Sequence, residues 1–173
     1  TTPVNSVFQG AKILDGAAAG TATYDAVKAK YTYNFNGTAI DVTSRGITAG
    51  TVVDMTVGGN KQMLGGTTYA YSRFGAIGPV GNLDAADVFY VGQKTVNMPI
   101  SGTAVYKGLG IGMAASDGAG VAFSHAPASF AVNFGGSYSG AFVGPAAEEL
   151  GGIGKFIDAD GSGNGAFSFG AKK

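Results

Sequence analysis

Glu148 and Glu149 stand side by side in "SGAFVGPAAEELGGIGKF" (139–156), and paired carboxylates are the usual equipment of acid–base catalysis and of metal sites. Their adjacency argues against both. Neighbouring residues of an extended chain point to opposite faces, whereas a catalytic pair faces across one bond at roughly 5 to 10 Å. A polar corner, where one strand ends and another begins, accounts for them better. "DADGSGNGAF" (158–167) places Asp158, Asp160 and Ser162 at the first, third and fifth positions of a calcium loop, with Gly163 at the sixth. The twelfth position is Phe169, where an EF-hand requires a bidentate glutamate. A hairpin turn built from Asp, Gly, Ser and Asn fits that stretch better. His125 is the one histidine, so a catalytic triad or a histidine-rich metal site lacks partners. On an extended segment it shares a face with Val121 and Phe123, just before Pro127. It reads either as a strand-end residue or, beside aromatics, as an axial ligand for haem iron. "GLGIGMA" (108–114) echoes a dinucleotide fingerprint, but no helix pattern follows it.

The elements that must position these residues are strands. "YTYNF" (31–35) alternates Tyr31, Tyr33 and Phe35 against Thr32 and Asn34, and Asn36-Gly37 follows, the strongest two-residue hairpin signal. "TAIDVT" (38–43) then returns, in a register that sets Tyr33 opposite Ile40 and Tyr31 opposite Val42. "TVVDMTV" (51–57), Gly58-Gly59 and "KQML" (61–64) form a second hairpin, with Met63 and Leu64 near its tip. Apolar groups at a tip mean either a partner surface or a tip folded back onto the protein. Further strands are predicted at 67–74 and 88–92, with a helical turn near "LDAAD". A helix over 17–31 is the weaker alternative to strand there, given Gly20 and the threonines. Pro99 interrupts the ladder pattern and sets a boundary between a region 1–98 and a region 99–173. After it, short strands recur between glycines: "GTAVYKG", "LGIGMAA", "GVAFSHA", "ASFAVNF", "YSGAFVG", "EELGGIGKF" and "GAFSFGAKK". Many short strands joined by tight turns predict an all-β sandwich or a closed barrel.

Composition narrows the function. Eleven Lys and Arg balance eleven Asp and Glu, with no run of either sign, so the basic footprint of a nucleic-acid binder is absent. No apolar stretch reaches the length of a transmembrane helix. Cysteine is absent, which removes disulfides, thiolate ligands and cysteine nucleophiles together. With one histidine and no converging acids, little remains for general acid–base work, and the chain does not read as an enzyme. The 31 glycines and only 13% charged residues suit tight-cornered antiparallel sheets.

Three places carry a family resemblance. Gly144, Pro145, Ala147, Glu148, Glu149, Leu150, Gly151 and Gly152 form a "GPxAEELGG" corner. Gly165, Ala166, Phe167, Gly170, Ala171, Lys172 and Lys173 make the ending, and "NMPISGTAVYKG" (97–108) leads into the same region. Together they resemble the carboxy-terminal barrel of the transferrin-binding protein B family, whose relatives include hemophilin-like, Slam-dependent exported proteins. The resemblance implies a β-rich handle or ligand-binding region (1–98) followed by an eight-stranded antiparallel β-barrel (99–173). It also implies secretion from a Gram-negative bacterium, or display on its surface, and iron acquisition without catalysis.

The haemophore branch binds haem iron through a histidine, and His125 is the candidate here. Tyr69, Tyr71, Tyr90 and Met63 are the alternative or additional haem contacts, since tyrosine and methionine also ligate haem iron. The absence of a lipidation cysteine favours the soluble haemophore. The leading expectation is thus an exported haem-binding protein, with haem as cofactor or cargo and a bacterial outer-membrane receptor as a further partner. The competing expectation is a surface lipoprotein-type module that seizes a host haem- or iron-carrying protein. A small outer-membrane β-barrel is the third, opposed by strands shorter than the ~9 to 11 residues that spanning requires.

Overall fold

Two turns show how local chemistry starts the fold. Asn36 (φ 47°) and Gly37 (φ 80°) both adopt the left-handed backbone that a tight hairpin needs. They join β3 (Lys30–Phe35) to β4 (Thr38–Asp41) with Tyr33 opposite Ile40. The ladder continues where the Val42 N–H donates to the Tyr31 carbonyl at 3.0 Å. Gly58 (φ 56°) and Gly59 (φ 76°) do the same between β5 (Val53–Val57) and β6 (Asn60–Gly65). The computed structural model describes residues 6–12, 17–43, 53–65, 69–116, 119–135, 141–157 and 163–173. The remaining strands are β1 (Ser6–Lys12), β2 (Gly20–Asp25), β7 (Ser72–Pro79), β8 (Asp87–Gln93), β9 (Thr103–Ser116), β10 (Ala119–Asn133), β11 (Ala141–Val143), β12 (Glu149–Ile157) and β13 (Gly163–Lys172). A short 3-10 turn, Leu83–Ala85, falls within "LDAAD". Among the described residues no helix is long and apolar enough to cross a membrane.

The strands form three antiparallel sheets. The first runs β1-β8-β7-β6-β5, the second β10-β9-β13-β12-β11, and the third, small one β2-β3-β4. Alternation gives the first sheet two apolar faces. One face carries Met63, Phe74, Ala76, Val88 and Tyr90, and packs on Ile111, Met113, Val143 and Ala166 of the second sheet. The other face carries Leu64, Ile77, Phe89 and Val91, and is capped by Tyr31, Tyr33, Phe35, Ile40 and Val42 of the small sheet. Tyr33 and Phe89 stack there at 4.5 Å between ring centroids. A third cluster of Tyr106, Phe134, Phe142, Leu150 and Ala171 is backed by Met98, Phe130, Val132 and Phe169.

Four expectations need correction. Among the described residues no sheet closes on itself, so the eight-stranded barrel is replaced by a five-stranded sheet. Its inner face is filled by the first sheet: a Cβ on Gly151 would meet the Tyr90 ring, and one on Gly170 the Phe74 ring. "GTAVYKG" and "LGIGMAA" are one strand, because Gly108 is a close-approach site and not a turn. A Cβ there would strike the Gly170 carbonyl and the Ala171 Cα of β13. "GVAFSHA" and "ASFAVNF" also fuse, since β10 pairs with β9 along one side only and an outer strand tolerates Pro127. Met63 and Leu64 are not tip groups: both lie buried within β6. Residues 20–25, inside the alternative helix over 17–31, are strand β2. The calcium-loop stretch 158–162 lies outside the described residues.

Candidate functional site

Of the five residues singled out as haem contacts, four gather at the core between the two large sheets and the fifth, His125, lies on β10. Met63 and Tyr90 are buried in the core between the two large sheets, with Tyr69 and Tyr71 packed against it. The Tyr69 hydroxyl donates to the Gly170 carbonyl at 3.1 Å. Burial, reinforced by the Glu149 charge, pushes its phenol up to about 12, and burial raises Tyr90 as well. His125 is elsewhere. It is exposed on β10, opposite Ile111 of β9, at a shallow depression shared with Gly110, Gly112, Ser124, Pro127 and Phe167. That depression of about 270 Å³ includes none of the other four residues.

Glu148 and Glu149 do diverge, as neighbours on an extended chain must. The Glu148 carboxylate accepts the Ala146 N–H at 2.9 Å within the exposed corner. Glu149 turns inward, where it is only 3% exposed. Its carboxylate accepts the N–H groups of Ala70 at 2.7 Å and Tyr71 at 3.2 Å, and the Ser72 hydroxyl at 2.6 Å. Desolvation raises its pKa against the pull of those donors and of Arg73. Arg73 extends the network to the small sheet. Its guanidinium donates to the Thr43 carbonyl at 2.8 Å and the Tyr69 carbonyl at 2.7 Å, and lies over the Tyr31 ring at 4.7 Å. Burial lowers its pKa, and burial also raises the Tyr31 phenol to about 12. The expected polar corner is half right, because one of its two glutamates is a buried tie linking the sheets. Nothing local in the sequence signals a bond across 77 residues.

The connection from β8 to β9 is the surface that pattern reasoning passed over. It is pinned along its length: Lys94 bridges Val143, the Thr95 N–H donates to the Phe142 carbonyl at 3.2 Å, and the Asn97 N–H to the Pro145 carbonyl at 3.3 Å. Met98 packs on the third apolar cluster, and the Phe134 N–H closes on the Gly102 carbonyl at 2.9 Å. Yet Val96 is 84% exposed, Ile100 88%, and Val105 at the start of β9 55%. The connection thus holds branched apolar side chains in water while its backbone is fixed. "TVNMPIS" does carry a signal, since valine and isoleucine sit beside Pro99 with no strand to pair them.

No family model matches the chain, and no curated protein matches it. Solved structures do. A double mutant of the vaccine antigen transferrin-binding protein B (TbpB) from Haemophilus parasuis Hp5 aligns with a TM-score of 0.64 at 15% identity, over 96% of this chain and 44% of that one. Intact Ap-TbpB aligns at 0.62 and 16% identity, over 96% and 46%. The isotype 1 TbpB of serogroup B Neisseria meningitidis aligns at 0.60 and 17% identity, over 96% and 43%. This chain therefore spans less than half the length of those proteins, and across that span its fold is similar to that of transferrin-binding protein B.

Proposed function

We propose that this chain is a binding lobe of an exported bacterial iron-acquisition protein, displayed at the surface of a Gram-negative cell or released from it. Its partner is a host iron-carrier protein of the transferrin type. The carrying observation is the pinned 94–102 connection with Val96 and Ile100 held in solvent. The likeness in fold to proteins named for transferrin binding supports the same reading. Direct haem capture, the leading expectation from the sequence, has less behind it, because its five candidate residues are divided between the core and an exposed strand.

The test is biolayer interferometry of the immobilised chain against a panel of host transferrins, iron-loaded and iron-free. Saturable binding to at least one is expected. No binding across the panel, with a sharp Soret shift on haemin titration instead, would replace this reading by the haem one. Neither signal would dismiss both.

A further inference from the structure

β10 is the outermost strand of the second sheet, so one of its two edges has no neighbouring strand among the described residues. Natural proteins guard such an edge with charge, proline, a bulge or shortness. β10 is 15 residues long and carries no Lys, Arg, Asp or Glu. Its guards are an irregularity between Ala119 and Ala122, and Pro127. Beyond Pro127, the stretch 128–133 has neither. The direction of its backbone groups is settled at its end, where the Phe134 N–H donates to the Gly102 carbonyl at 2.9 Å, on the β9 side. Successive residues of a strand send their N–H and C=O groups to opposite edges. Asn133, Ala131 and Ser129 therefore offer theirs to the open edge. Pro127 belongs to the same set, where a proline costs no bond to β9. Ser129, Ala131 and Asn133 are exposed, and Phe130 and Val132 are only partly buried against the third apolar cluster.

We infer that this edge pairs with the same edge of a second copy of the chain, antiparallel, about a two-fold axis at Ala131. The occupant is a copy because the edge is complementary to itself. With Ala131 opposite Ala131 of the second copy, Ser129 meets Asn133 and Phe130 meets Val132, each twice. Ser129, Ala131 and Asn133 then form the hydrogen-bonded pairs that their outward groups require, exchanging about six main-chain bonds. Phe130 and Val132 fall at the closer, non-hydrogen-bonded positions, where an aromatic and a β-branched side chain pair well. A register one residue off would set outward groups against inward ones. A shift of two brings Pro127, which has no N–H, into the ladder, or loses a pair to the turn after Asn133. The contact is isologous and so closes at two copies. It extends a sheet without building a new core, and an interface of that size is weak. The inference needs only this chain and stands apart from the carrier-binding reading.

The test is sedimentation equilibrium of the full chain, with NMR of a mixture of isotope-labelled and unlabelled chain. A monomer–dimer equilibrium with its midpoint between ~10 μM and ~1 mM is expected. The mixture should show an intermolecular NOE between the Hα atoms of Phe130 and Val132, which approach closely in a non-hydrogen-bonded pair. Ala131→Lys sets like charges opposite each other at the axis and should weaken association at least about tenfold. Ala131→Pro removes the central outward donors and should do the same. Ser124→Lys, an exposed change on the other side of Pro127, should leave association unchanged. Both Ala131 variants should melt like the parent, because its side chain is exposed and its N–H does not serve the β9 ladder. A variant that melts early is replaced by Ala131→Asp, read against the same outcomes. The inference is overturned by a monomer at every concentration, by a dimer that survives Ala131→Lys, or by growth beyond two copies. Protection of the Ala131 amide from hydrogen exchange in a monomer would overturn it too, since the chain would then cover its own edge.

Discussion

The Ser72 hydroxyl donates to the Glu149 carboxylate at 2.6 Å, joining residues 77 positions apart in the buried seam between the two large sheets. Truncating Glu149→Ala would leave that hydroxyl and the Ala70 and Tyr71 N–H groups unmet and Arg73 without its nearby anion. The expected loss is ~3–5 kcal/mol, read from urea unfolding. Glu149→Gln should cost less, ~1–3 kcal/mol, because an acceptor oxygen remains. The pH dependence has a definite sign. Glu149 is raised in the folded protein above its ordinary 4.5, so the folded state binds the proton more tightly. Its contribution is fully present below 4.5 and is lost as pH rises through the folded value. The parent should therefore gain on Glu149→Gln as pH falls from neutral. A stability difference that is flat with pH would contradict the raised carboxylate.

Gln62 is fully buried in β6, and among the described residues neither atom of its amide has a hydrogen-bond partner. It lies on the strand opposite Ile77, among the apolar groups under the small sheet. Replacing a buried amide that satisfies nothing with an apolar group of similar shape removes a desolvation cost of ~1–3 kcal/mol. Gln62→Met should accordingly raise the unfolding midpoint in urea without changing the slope. A drop in stability would mean that the amide is satisfied in solution.

Two glycines of the second sheet should respond oppositely to one methyl group. At Gly151 a Cβ would collide with the Tyr90 ring, which is fully buried and has no room to retreat. Gly151→Ala should cost ~1–3 kcal/mol by overpacking. At Gly112 the nearest atoms to a Cβ are the Ala166 carbonyl and the Phe167 Cβ, both at 3.5 Å, an ordinary contact. Gly112→Ala should be neutral or stabilising by up to ~1 kcal/mol, through the reduced freedom of the unfolded chain. Thermal melts of the two variants decide it.

Alkaline titration offers a third readout. Burial lifts the phenols of Tyr31, Tyr69 and Tyr106 to about 12 and raises Tyr33 and Tyr90 as well. These five of the eight tyrosines should stay protonated when ultraviolet absorbance is followed to pH 11 in the folded protein, and ionise together on unfolding. Each folded value lies above the unfolded one near 10, so the stabilisation holds below pH 10 and drains as pH climbs toward 12. Ionisation of all eight at pH 10 in a folded chain would refute the packing described.

For the binding surface, Ile100→Asp and Val96→Asp should each lower carrier affinity at least about tenfold, or ~1.4 kcal/mol. At such exposed positions the melting temperature should scarcely move, since surface changes stay within ~0.5 kcal/mol. Unchanged affinity in both variants would move the interface off this connection.

Much of the local structure is set by neighbours in the chain. Tyr31, Tyr33 and Phe35 alternate, Asn36-Gly37 supplies two left-handed residues, and the register with Ile40 follows with no help from the rest of the molecule. The divergence of Glu148 and Glu149 is equally local, as is the 3-10 turn in "LDAAD". Tertiary structure decided what period-two alternation leaves open, namely which face meets which partner. It turned Met63 and Leu64 from an apparent tip into core, and made Gly108 a point of strand contact inside one long strand. It left His125 on an exposed strand away from the tyrosines, and drew Glu149 beneath residues 70–72. The physical reason is common to all four. Alternation fixes that a residue faces one side of a sheet, but burial and desolvation on that side depend on chain that arrives from dozens of residues away.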